Sequence, residues 1–271
     1  MPTEPFALVC VLHGDPVLPA WIAELGPVLH LVVNDPGPGR YVGLPPVREL
    51  HINERPLGFA ANVNAALGRI TAEVVVCANF DLQMSADVPS RLASALSEPS
   101  VGLAGPVLRS PGGALAFSVG SAPTALKEFT RAAGLRSGRP QQLVRAVLRR
   151  TGRWQERNLT GRVLGPGEYL PWTCVAVRRE AWLDVGPLDE RFEMYAEDLD
   201  WGRRASDAGW LARLVDVGTV VHAERATRDR RTDGLYEQSH ARYHEKWDRP
   251  DLARWQRRGM RLRRLWSNST D

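Results

Sequence analysis

The chain has 271 residues, 44% of them hydrophobic, enough to bury a sizeable core in one large domain or two fused halves. Its 35 basic and 31 acidic residues leave a net charge of +4, and no apolar run reaches the length needed to span a bilayer. The positive charge is almost all Arg, with Lys only at Lys127 and Lys246, a bias that a GC-rich coding sequence produces without any nucleic-acid partner.

The first element is FALVCVLHG, a continuous apolar run that reads as a buried strand. A short helix over 17–25 and a second strand, VLHLVVND, follow. This strand-helix-strand rhythm predicts an open α/β fold with a largely parallel sheet, whose ligands bind at the carboxyl ends of the strands. Asn34 and Asp35 stand at such an end. In NERPLGFAANVN (53–64), Gly58 would allow a close backbone approach. Asn62 and Asn64 would offer amides near a helix N-terminus, or serve as ordinary surface amides of a capped helix.

The strand EVVVCANFDLQMS ends in Asn79, Phe80 and Asp81, a strand-end Asx turn or a seat for a hard cation. Between Pro106 and Pro171 two amphipathic helices are expected, over 124–133 and from Pro140 to near Gly152. They would form a basic flap or a solvated insertion. YLPWTCVAVRREAW brings Trp172, Thr173 and Trp182, and GPLDERFEMYAEDLDWGRRASDAGW (186–210) sets Glu197, Asp198 and Asp200 ahead of Arg203 and Arg204. Such acids suit the first turn of a helix, and they also suit a site that handles a proton or a cation. Asp200 is expected to pair with Arg204 one turn on.

A strand over 211–222 ends in His222. In the tail, His240 and His244 lie one turn apart with no third ligand in view, so a surface helix is expected there. Basic residues crowd into 136–162 and 225–264, which suits an anionic acceptor, lipid headgroups or a second subunit. Cys10, Cys77 and Cys174 lie far apart in apolar segments without metal-ligand spacing and read as reduced core thiols. With no basic segment ahead of a cleavable apolar stretch in MPTEPFALVCVLHGDP, a cytoplasmic protein is expected.

Taken in order, NERPLGFAANVN, CANFDLQMS, the acidic stretch and DVGTVVHAE resemble the family 2 glycosyltransferases of GT-A fold, most closely the rhamnosyltransferase-like bacterial members, over about residues 6–224. The resemblance implies a mixed, mostly parallel central sheet flanked by helices. It divides the chain into a catalytic domain over 1–224 (nucleotide half to about 105, acceptor half beyond) and a basic helical tail over 225–271. It assigns Asp35, Gly58, Asn62, Asn64 and Asn79 to the nucleotide sugar and Trp172 and Thr173 to the acceptor. Asp81 and His222 would hold a divalent cation, Mg or Mn.

Asp198 would be the catalytic base, with Glu197 orienting it or the acceptor. Asn79 replaces the first acid of the family's Asp-x-Asp motif, and Asn34-Asp35 inverts the usual Asp-Asn order. The implied reaction is an inverting transfer of a sugar, rhamnose first, from a dTDP- or UDP-linked donor to a hydroxyl of a glycan, lipid-linked or small-molecule acceptor. Peripheral contact with the inner face of the membrane and a homodimer are further expectations. The alternatives are a non-catalytic sugar-nucleotide or glycan-binding protein and a nucleotidyltransferase. The latter would want a Gly-rich, Arg-bearing loop where this chain reads LHGDPVLPAW.

Overall fold

The structure is a computed structural model that describes residues 6–14, 18–35, 44–135, 160–223 and 230–267. The helix expected after Pro140 and most of the 136–162 basic cluster lie outside the described residues. The centre is one eight-stranded sheet. It comprises β1 (Ala7–Leu12), β2 (Leu29–Val33), β3 (Glu49–Ile52), β4 (Val74–Ala78), β5 (Leu82–Gln83), β6 (Val101–Arg109), β9 (Cys174–Arg178) and β10 (Leu211–His222), in the order β3-β2-β1-β4-β9-β6-β10-β5. A separate ribbon pairs β7 (Gly120–Ser121) with β8 (Glu168–Tyr169).

Neighbouring strands are parallel except where β9 meets β4 and β6 and where β5 meets β10. The sheet is therefore mixed and mostly parallel, and it runs without a break through both halves expected from the sequence. Both faces are covered, which explains why β1 is apolar throughout rather than alternating. Ala7 and Val9 join one core with Val63, Leu67 and Trp172, whereas Leu8, Cys10 and Leu12 join the other with Trp21, Leu31 and Val33. Trp21 Nε1 donates to the Leu82 carbonyl at 2.9 Å across the second core. The three cysteines are buried free thiols, as their apolar settings predicted.

The helices are α1 (Ala20–Glu24), α2 (Phe59–Leu67), α3 (Val88–Ser94), α4 (Ala125–Ala132), α5 (Arg179–Val185), α6 (Glu197–Asp207), α7 (Arg230–Lys246) and α8 (Pro250–Ser267). Thr124 caps α4, its hydroxyl accepting from Lys127 N. The tail helices are built into the body. At Gly259 of α8 an added Cβ would stand 2.5 Å from the Phe129 carbonyl oxygen of α4, so only glycine allows that approach. A third core of Phe192, Ala196, Leu199 and Tyr243 joins α6 to α7.

Candidate active site

The carboxyl edge of the sheet gathers Asp35, Asn79, Asp81, Thr173 and His222. β4 stops at Ala78, and Asn79 N donates to the Thr173 carbonyl at 2.9 Å, which brings the strand end against the start of β9. The short β5 then pairs antiparallel with the end of β10, setting His222 opposite Leu82. That pairing places His222 Nε2 3.2 Å from Asp81 Oδ2. Asp81 Oδ1 is buried and has no hydrogen-bond partner. A buried carboxylate oxygen left unpaired beside an imidazole suits a cation, so the donor set fits the divalent ion that the resemblance implies.

Asp35 sits half-buried at the tip of β2 on the same edge. Beneath it lies an amide network that sequence reasoning missed. Asn34 Oδ1 accepts from Asn53 Nδ2 (2.8 Å) and Leu57 N (2.8 Å), and Asn53 Nδ2 also reaches Asn62 Oδ1 (2.7 Å). Asn62 is fully buried and donates to the Leu57 and Gly58 carbonyls. The expected nucleotide-sugar contact of Asn62 is thereby corrected: its amide is consumed inside the protein, holding the turn that starts α2. Asn64 exchanges hydrogen bonds with the Leu188 backbone at 2.9 Å in both directions, so it joins α2 to the segment leading into α6. Gly58 allows a close approach as expected, but to protein: a Cβ there would stand 2.7 Å from the Glu193 carbonyl oxygen, which accepts from Phe59 N at 2.9 Å.

Trp172 also departs from its expected place at the acceptor. Only 2% exposed, it packs in the core against Trp182 and Trp201, with ring centroids 6.0 and 5.5 Å away. Such aromatic pairs contribute about 0.5–1.5 kcal/mol each beyond area burial. Its neighbour Thr173 stays half-buried at the edge. The tryptophan cluster packs the acid-bearing helix against the segment that enters β9: Trp201, one turn down α6 from Asp198, meets Trp172, whose neighbour Thr173 accepts from Asn79 N.

The acids open α6 on a strained corner. Tyr195 and Ala196 both adopt left-handed backbone, with φ of 70° and 66°, a conformation that costs non-glycine residues about 1–3 kcal/mol and clusters at functional sites. Glu197 is buried, and its Oε2 has no hydrogen-bond partner. Burial, reinforced by the neighbouring Asp198 charge, pushes the Glu197 carboxyl well above the usual carboxylate range. Burial likewise pushes Asp198 up to about 6, against hydrogen bonds from backbone amides such as Leu199 N, 2.7 Å from Oδ1. Asp198 keeps part of its surface open to solvent.

Tyr169, which the sequence did not flag, is held by two glycines. Added Cβ atoms at Gly120 and Gly202 would stand 2.0 and 2.6 Å from its side chain. Burial, with the nearby Asp198 and Glu197 charges, raises its phenol well above the ordinary value, so it stands as a neutral donor beside the acids. Asp200 is the structural member of the trio, as expected, with more partners than Arg204 alone. Fully buried, it accepts from Arg204 Nε (3.0 Å), Lys246 Nζ (2.9 Å) and Trp247 Nε1 (2.9 Å). His240 and His244 are not on a surface helix face: both are buried and meet Glu128 of α4.

No family model matches the chain. It is 32% identical over 182 residues to N-acetylglucosaminyl-diphospho-decaprenol L-rhamnosyltransferase of Mycobacterium tuberculosis, in both strain CDC 1551 / Oshkosh and strain ATCC 25618 / H37Rv. The match covers 61% of this chain, and 55% of the relatives, so the chain spans about half the length of the curated relatives it matches. Among solved structures, GalNAc-T7 with UDP, GalNAc and Mn2+ is similar at a TM-score of 0.57 and 13% identity, over 89% of this chain and 47% of that one. Mannosyltransferase PcManGT from Pyrobaculum calidifontis, in complex with GDP-Man and Mn2+, is similar at 0.50 and 14%, over 93% and 74%. Strand order, the acid-bearing helix and these likenesses together identify the chain as a GT-A-fold protein related to a rhamnosyltransferase.

Proposed function

We propose that the chain is an inverting glycosyltransferase that moves a sugar, rhamnose first, from a dTDP- or UDP-linked donor to a hydroxyl of a lipid-linked or other glycan acceptor. Asp198 carries this reading: a carboxylate pushed by burial up to about 6, still partly open to solvent, on a helix whose Trp201 packs against Trp172 beside Thr173. A general base is most effective when its pKa lies near working pH. Asp198 takes the proton from the acceptor hydroxyl on Oδ2, since Oδ1 is occupied by Leu199 N.

The hydroxyl oxygen then attacks the anomeric carbon from the face opposite the departing nucleoside diphosphate. The transition state is oxocarbenium-like and the configuration inverts. Glu197, protonated beside Asp198, and Tyr169 orient the acceptor as hydrogen-bond donors. Thr173 lines the acceptor side of the edge, and Asp35 receives the nucleoside. Asp81 and His222, with Asn79 offering a neutral carbonyl, would hold the divalent cation. Bound there, Mg or Mn supplies charge neutralisation for the leaving diphosphate.

The outer face of α8 exposes Arg254, Arg257, Arg258 and Arg261, with Trp255 and Leu265, and would meet the anionic headgroups around a lipid-linked acceptor. No described helix is long and apolar enough to cross a membrane. The test is incubation with dTDP-rhamnose and a panel of UDP-sugars, with Mn or Mg and lipid-linked and soluble acceptors. Release of nucleoside diphosphate with an inverted anomeric product is the expected result. Binding without turnover would mark a sugar-nucleotide-binding protein, and release of pyrophosphate would mark nucleotidyl transfer.

A further inference from the structure

Three side chains that the proposed reaction leaves unused meet between α4 and α7. Glu128 enters from α4, and His240 and His244, one turn apart on a single face of α7, point at it. The exposures are 2%, 8% and 1%. Glu128 Oε1 lies 3.3 Å from His240 Nδ1, and Oε2 lies 3.1 Å from His244 Nε2. One donor atom from each residue falls within 4.8 Å of the other two. In a four-coordinate site with bonds of about 2.0 Å, ligand atoms stand about 3.3 Å apart, close to the distance of each imidazole from the carboxylate.

A further observation favours a cation over a closed hydrogen-bond cluster. His244 Nε2 is hydrogen-bonded to Glu128 Oε2, but His240 Nδ1, which faces the other carboxylate oxygen, makes no hydrogen bond and leaves the cluster open. Arg131 bridges Glu128 and Glu237 and lies over the Tyr236 ring at 4.7 Å. The geometry points to a second metal centre, Glu128–His240–His244, that takes a borderline-soft divalent ion of the Zn2+ kind and clamps α7 to α4.

Two imidazoles and one carboxylate are a zinc set, whereas Mg demands oxygen ligands. The paired histidines at i and i+4 supply two ligands from one helix face. A cavity of about 520 Å³ between α7 and α8, lined by Glu237, His244 and Gln256 among others, adjoins the cluster at His244. The clamp bears on the acceptor side. His240 stacks on Tyr236 at 4.5 Å, and Tyr236 meets Tyr195 edge-on at 5.0 Å, at the left-handed corner before Glu197.

The test uses the full, tag-free chain, stripped with EDTA and titrated with ZnCl2 alone, with metal content read by mass spectrometry. One equivalent of zinc is expected, raising the unfolding midpoint by about 5 °C, and Co2+ in its place should give the intense visible absorption of a tetrahedral site. His240→Ala and Glu128→Gln should lose that equivalent, and Asp81→Ala should keep it. Absence of zinc uptake by the unmutated chain, or uptake that survives His240→Ala and vanishes in Asp81→Ala, overturns the assignment. If His240→Ala does not fold, the Co2+ spectrum of the unmutated chain decides: weak octahedral bands overturn the centre. Because the readouts are stoichiometry and spectrum, neither depends on sugar transfer.

Discussion

The two ends of the proposed site are built by different means. At the Asp81–His222 end, strand termini do the positioning: a two-residue β5 pairs with β10, and the register alone sets the ligands side by side. At the Glu197–Asp198 end, position is held by a left-handed corner, a tryptophan cluster and two carboxylates pushed up by burial. The first arrangement follows from sheet formation, while the second strains the folded state. Function at the acid end should therefore trade against stability, and function at the strand end should not.

Replacing the base tests this most sharply. Asp198→Asn should cut transfer by about 10²–10⁴-fold in a kcat assay. It should also stabilise the fold. The folded pKa of about 6 lies above the ordinary aspartate value, so the ionised group costs stability that grows as pH rises from about 4 through 6. At pH 7, discounted for partial solvent contact, the gain on substitution should be about 1–2 kcal/mol by urea unfolding. A loss of stability would end the proposed contrast. In the unmutated chain the proposed role should make kcat fall as pH drops below about 6, and a flat profile from pH 5 to 8 would remove Asp198 as the base.

At the strand end, Asp81→Ala should weaken metal-dependent donor binding by about 10–100-fold in a Mn titration, with little change in unfolding midpoint. Gly58→Ala probes the bond between the two ends. Its Cβ would collide with the Glu193 carbonyl oxygen, so a loss of about 1–3 kcal/mol is expected, with kcat falling because the acid helix shifts. The smallest effect should come from Ala196→Gly. It relieves the left-handed penalty and should stabilise by about 0.5–1 kcal/mol while leaving the fold intact, as thermal unfolding would show.

Much of the fold was legible in the chain because strands buried on both faces are apolar throughout and their polar tips mark the carboxyl edge of the sheet. Asn79, Asp81 and His222 are such tips. The acid helix was legible from three carboxylates ahead of two arginines. What misled was the direction of side chains within correctly read segments. Asn62 lies on the same buried face of α2 as Val63 and Ala66, so its amide serves the interior. Trp172 lies two residues before Cys174, and both point into covered faces of the sheet. The Glu128–His240–His244 meeting was invisible because it joins residues more than a hundred positions apart, and no local spacing records such a pairing.

The buried carboxylate of Asp200 gives the C-terminal helices a significance that their surface-like composition conceals. Two of its three partners, Lys246 and Trp247, belong to the final part of the chain. Pulling that part away would leave Arg204 as its remaining partner and open a buried carboxylate two residues from Asp198. The terminal helices are thus a strut under the acid-bearing helix and not a detachable handle.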